Sequence, residues 1–143
     1  MDGKIFESFP PEVIDFDSTN LPAPILTTLE QAIKTHAAGC YIAAAIMVRR
    51  LLEEICQDKK VTGQSLKDRL SALGGSTTIP KELLDAADEL RILDNDAAHV
   101  EAKTYDSIGE AEASVAIELA KELLKAVYQY GSLVDKLRAL KKP

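Results

Sequence analysis

Arg91, Asn95 and His99 stand at four-residue intervals in Leu90-Arg91-Ile92-Leu93-Asp94-Asn95-Asp96-Ala97-Ala98-His99, and His99 is one of only two histidines in the chain. On a continuous helix the three side chains share one face. A guanidinium, an amide and an imidazole side by side can bind and cleave a phosphodiester. The imidazole carries the proton, the guanidinium balances the charge that builds on the phosphorane, and the amide positions the phosphate. The same residues also fit a structural reading, in which Arg91 pairs with Asp88 or Asp94, Asn95 caps a helix end and His99 closes the next turn.

The charge around this triplet works against a polyanionic ligand. The chain carries 23 Asp and Glu against 17 Lys and Arg, a formal net charge of -6, whereas nonspecific nucleic-acid binding rests on many cations that neutralise phosphates. Between Lys81 and Lys103, Glu82, Asp85, Asp88, Glu89, Asp94, Asp96 and Glu101 outnumber Lys81, Arg91 and Lys103. Local charge thus disfavours RNA as a partner unless folding or dimerisation brings Arg49-Arg50, Lys59-Lys60 or the tail Arg138, Lys141 and Lys142 close. On its own the tail reads as a solvated face.

The elements that must position the triplet are helices. A chain of 143 residues can bury a core without disulfides or metal, and is too short for two ordinary domains. It has no Trp, is rich in Ala, Leu, Glu and Lys, and shows no strand pattern or repeat. Residues 1–21 read as an extended arm, because Pro10-Pro11, Pro22 and Pro24 oppose a regular helix while Phe6, Phe9, Val13, Ile14 and Phe16 supply apolar anchors. Such an arm docks on its own bundle or on a neighbouring subunit. Residues 22–143 form the bundle.

Helical spacing of Ile25, Leu26, Leu29, Ala32 and Ile33 predicts a first helix from Ala23 to about Thr35, stopped by Gly39. His36, near its end, suits a helix C-terminus as a polar or charged group. The second helix runs from about Cys40 to Asp58. It is apolar nearly all round at its start (Tyr41, Ile42, Ala44, Ala45, Ile46, Met47, Val48), which places it centrally, with Ala44, Ala45, Val48, Leu52 and Ile55 in the core. A third helix, about Ser65 to Leu73, is expected to end at Gly74-Gly75. The fourth starts at Pro80 or Lys81, turns Leu83, Leu84, Ala87 and Leu90 inward, and kinks or is capped at Asp94-Asn95-Asp96. Ser107-Ile108-Gly109-Glu110 matches a capping box ahead of Ala113, Val115, Ala116, Leu119, Leu123, Leu124, Val127 and Tyr128. A break near Gly131 precedes Leu133, Val134, Leu137 and Leu140.

Cys40 and Cys56 lie sixteen residues apart on one helix, about 24 Å at 1.5 Å per residue, and cannot bridge each other. Free, mostly buried thiols suit a reducing compartment. No metal or cofactor is expected: there is no C-x-x-C pair, phosphate-binding Gly loop or H-E-x-x-H. The apolar run Cys40–Val48 is far short of the roughly 20 residues that span a bilayer. The start Met1-Asp2-Gly3-Lys4 lacks signal-peptide character, so no membrane and a cytoplasmic location are the expectations.

Gly39-x-Tyr41-x-Ala43-Ala44-x4-Arg49-Arg50-Leu51-Leu52-Glu53, followed by Leu90-Arg91-x3-Asn95-x-Ala97-Ala98-His99, resembles the domain-of-unknown-function family 4145 of the HEPN superfamily over about Leu21 to Tyr130. The resemblance implies an all-α, up-and-down bundle of four to five helices, commonly a homodimer. In that superfamily many members are metal-independent ribonucleases and others are inactive binding or scaffold domains. The signature Arg–polar–x–His has four to six residues between Arg and His, whereas seven separate Arg91 from His99 here. Two functions follow as expectations. One is a noncatalytic interaction and dimerisation module, with a protein partner or a larger defence or regulatory assembly. The other is an endoribonuclease with His99 as general base, Arg91 on the phosphorane and Asn95 on the phosphate. In the second helix Arg49, Arg50 and Glu53 either form an intrahelical ion pair or turn one arginine inward beside Arg91 and His99.

Overall fold

The computed structural model of the chain describes residues 16–93 and 108–141, and the regular structure among them is helical, without a strand. Helix α1 (Ala23–Ala37) starts behind Pro22, with Pro24 in the first turn, where the missing N–H leaves no bond unmade. It runs slightly past the expected Thr35 and stops at Gly39, whose φ of +82° is a left-handed turn that glycine takes without a Cβ penalty. Helix α2 (Tyr41–Asp58) folds straight back, and α1 with α2 makes the most extensive helix pair among the described residues.

Helix α2 is central as its sequence requires. Ala44, Ala45, Val48, Leu51, Leu52, Ile55 and Cys56 have no accessible surface. The small Ala pair lets α1 and α5 (Glu110–Leu124) approach, and α5 contributes Ala113, Ala116, Ala120, Leu123 and Leu124 to the same core. The outer face of α2 departs from that picture. Ile42 and Ile46, one turn apart, remain 40% and 44% exposed. Cys40 is also exposed and only Cys56 is buried, so the thiols are not both interior.

Three boundaries differ from expectation. Helix α3 (Leu66–Ser76) opens with Ser65 Oγ accepting the Asp68 N–H at 3.1 Å, yet it continues through Gly74-Gly75. A Cβ at Gly74 would meet Leu84 Cδ1, the far end of a half-buried side chain on the next helix. The stop comes instead where the Ser76 and Thr77 hydroxyls donate to the Leu73 carbonyl. Helix α4 (Lys81–Ala87) is short: turns close from Leu90 N–H to Ala87 O and from Leu93 N–H to Leu90 O, and Arg91–Leu93 form a separate 3-10 turn. Of its expected inward residues Ala87 and Leu90 are buried, while Leu83 and Leu84 are half-buried. Helix α5 begins after Gly109, which caps without a side-chain bond, so the helix starts two residues later than a capping box on Ser107 requires. Ser107 itself lies outside the described residues.

The long C-terminal helical run changes character before Gly131. Lys125–Gln129 form a π turn between α5 and helix α6 (Tyr130–Ala139), and Gly131 lies inside α6. The wide turn is tied down by Tyr128, whose hydroxyl donates to Asp58 Oδ2 at 2.6 Å while the Lys59 ammonium sits 4.8 Å over its ring. One extra residue in a turn rotates everything after it by about 100°. The apolar positions of α6 therefore do not continue the core face of α5, and α6 has no buried residue. Val115 of α5, expected within the apolar periodicity, is also exposed at 57%.

Of the N-terminal arm, residues 1–15 lie outside the described residues. Phe16 and Leu21 pack against the core, and Gln129 Nε2 at the end of the π turn donates to the carbonyls of Asp17 at 2.8 Å and Thr19 at 2.9 Å. No helix among the described residues is long and apolar enough to cross a membrane.

Candidate functional site

Position 49 on α2 faces the turn that leads into the Arg91/Asn95/His99 stretch. Arg49 is 4% exposed, and its Nη1 donates to the main-chain carbonyl of Ile92, in the middle of the 3-10 turn. Its Nε lies 3.5 Å from Glu53 Oε2, one helical turn on. Burying a guanidinium is costly unless charge and hydrogen bonds compensate. Here Glu53 supplies the charge and Ile92 the acceptor. Among the described residues Nε and Nη2 have no hydrogen-bond acceptor, and Glu53 Oε2 meets the cation through charge alone.

The two arginines differ in burial, and each has an intrahelical carboxylate one turn on. Arg49 turns inward and keeps an intrahelical partner. Arg50 stays outside, with its side chain 64% exposed, and its Nε reaches Glu54 Oε2 at 3.3 Å rather than Glu53. Glu54 was legible in the sequence as the i+4 partner of Arg50. Ile92 was not, because a carbonyl 43 residues away leaves no trace in local pattern.

The chemical triplet is placed only in part. The main chain of Arg91 opens the 3-10 turn Arg91–Leu93, which follows α4 after its end at Ala87. Asn95 and His99 lie outside the described residues. His36 is in the last turn of α1, as its position predicts, with its ring tilted 59° against Tyr41 at 5.3 Å and its buried Nε2 without a hydrogen-bond partner among the described residues. Among the described residues no group of three or more His, Cys, Asp or Glu is arranged to hold a metal ion.

Electrostatic perturbation falls elsewhere. Burial pushes the Cys56 thiol up from 9.0 to about 11, with nearby Arg69 opposing and Glu53 reinforcing the shift. The Tyr128 phenol is raised by burial and by its bond to Asp58. At the surface, the Thr19 hydroxyl and N–H hold the Asp17 carboxyl below its ordinary range, with the Lys136 charge adding to the effect. None of the three is adjacent in sequence to the triplet. The described part of the site thus consists of a buried cation that pins the backbone just before Asn95 and His99.

Searches of curated proteins and of solved structures each returned no match. The profile of a family described as "Domain of unknown function (DUF4145)" matches residues 30–142, a span that takes in α2 with Arg49, the 3-10 turn and both C-terminal helices. The chain belongs to the DUF4145 family.

Proposed function

We propose that this chain is a noncatalytic helical interaction module of the HEPN superfamily that works as a homodimer. The observation that carries this reading is the outer face of α2. A helix that is apolar all round needs cover on both sides. The bundle covers Ala44, Ala45 and Val48 completely, whereas Ile42 and Ile46 on the opposite side stay 40% and 44% exposed, with Tyr41 and Met47 half-buried beside them. Two branched side chains one turn apart on a rigid core helix suit a self-complementary twofold contact. The acidic surround of the triplet and the seven-residue gap from Arg91 to His99 support the absence of catalysis.

Light scattering at micromolar concentration tests it. The chain is expected at twice its mass, and Ile42→Glu with Ile46→Glu is expected at the single-chain mass with unchanged helical circular dichroism. A wild-type monomer overturns the reading.

A second reading, a metal-independent endoribonuclease with His99 as general base and Arg91 as the phosphorane counter-charge, is favoured by one observation. The Arg49 guanidinium binds the carbonyl of Ile92, next to Arg91 and just ahead of Asn95 and His99 in the chain. That contact anchors the main chain beside Arg91, whose own guanidinium would carry the counter-charge because Glu53 already balances that of Arg49.

A further inference from the structure

Helix α6 ends the described chain with an apolar stripe that nothing described covers. Tyr130, Leu133, Val134, Leu137 and Leu140 recur at helical spacing, and they are 37%, 54%, 42%, 56% and 80% exposed. Its principal contacts are with the π turn that leads into it. A second copy of α6 is a poor occupant. Lys136, Arg138 and Lys141 flank the stripe with Asp135 as the single acid of the helix, so two such helices side by side would confront like charges. The stripe calls for an acidic apolar segment.

The chain contains one at the right place. Residues 1–15 carry Asp2, Glu7, Glu12 and Asp15 against Lys4, interleaved with Ile5, Phe6, Phe9, Val13 and Ile14. The described chain that follows is already laid against the base of α6. Gln129 holds the Asp17 and Thr19 carbonyls, and Asp17, Thr19 and Asn20 line a groove whose other wall is Tyr130, Ser132, Leu133 and Lys136. Whatever precedes Phe16 therefore sets out from the N-terminal end of the stripe. Reach is ample: Phe6 to Val13 in extended form spans about 22 Å at 3.1 Å per residue, against about 15 Å from Tyr130 to Leu140 on a helix. A tethered segment also docks at an effective concentration of order millimolar, which favours its own helix over that of another copy.

We infer that residues 5–14 dock along the apolar stripe of α6 in the same chain, with their carboxylates towards Lys136, Arg138 and Lys141. Residues 5–14 are then the missing cover of α6, on a surface separate from the α2 face.

Disulfide trapping tests this. In a Cys40→Ser background, Phe9→Cys with Leu137→Cys is oxidised at low micromolar concentration and mapped by peptide mass, with Phe9→Cys/Glu82→Cys on α4 as control. The expected product is a link within one chain, formed at least tenfold faster than the control and slowed by Lys136→Glu. A link between two chains overturns the inference in favour of arm exchange, and a rate no faster than the control overturns it outright. Hydrogen exchange on the unlinked protein gives a second readout. Removing residues 1–15 should lower the protection of α6 amides about tenfold or more, and unchanged protection contradicts the proposal. Neither result depends on whether the chain dimerises.

Discussion

Arg49 reaches from the middle of α2 to the main-chain carbonyl of Ile92, so one buried guanidinium joins the central helix to the turn that precedes Asn95 and His99. The contact is long in sequence and short in space.

Replacing Arg49 with Met keeps the stem but leaves the Ile92 carbonyl without its donor and Glu53 without its cation. The expected loss is about 2–4 kcal/mol, towards the lower end because the Glu53 side chain is 29% exposed and water takes over part of its charge. Urea denaturation measures it. Adding Glu53→Gln should recover part of the loss, and a double mutant no more stable than the single one contradicts the ion pair.

Ala45 has no accessible surface and sits where α2 meets its neighbours. Ala45→Leu should overpack this contact and destabilise by about 1–3 kcal/mol. A neutral outcome in the same assay would be incompatible with a tightly packed α2.

Alkaline pH should loosen the fold. The Cys56 pKa is raised from 9.0 unfolded to about 11 folded, so burial of the neutral thiol stabilises fully below about pH 9, and that contribution is lost as pH rises to about 11. The Tyr128 phenol is shifted in the same direction and adds to the slope. Urea midpoints followed between about pH 8 and pH 11 should fall, less so in Cys56→Ala and least in Cys56→Ala with Tyr128→Phe. A slope identical in all three proteins would show that neither group is responsible.

Wild-type protein is expected to leave RNA intact in the presence of a chelator. Cleavage with a bell-shaped pH profile, abolished by His99→Ala and lowered about 10²-fold by Arg91→Ala, would replace the noncatalytic reading with the ribonuclease one. Both variants need circular dichroism matching the wild type for the comparison to hold.

Local pattern determined the helices and the core of α2. The 3.6-residue spacing of apolar side chains and the glycine after α1 act within a turn or two of themselves, and Ala44, Ala45, Val48, Leu52 and Ile55 are buried as that spacing demands. Spacing also sets Arg49 on the face of Ala45, Leu52 and Cys56 and Arg50 on that of Ile46. Tertiary structure decided which distant partners those side chains meet, bringing the Ile92 carbonyl to the Arg49 guanidinium. Likewise folding sets Tyr128 of the π turn against Asp58, 70 residues earlier, and α6 beyond that turn has no buried residue. In both cases the partner is far along the chain and close only after folding, so a periodicity confined to one helix could not name it.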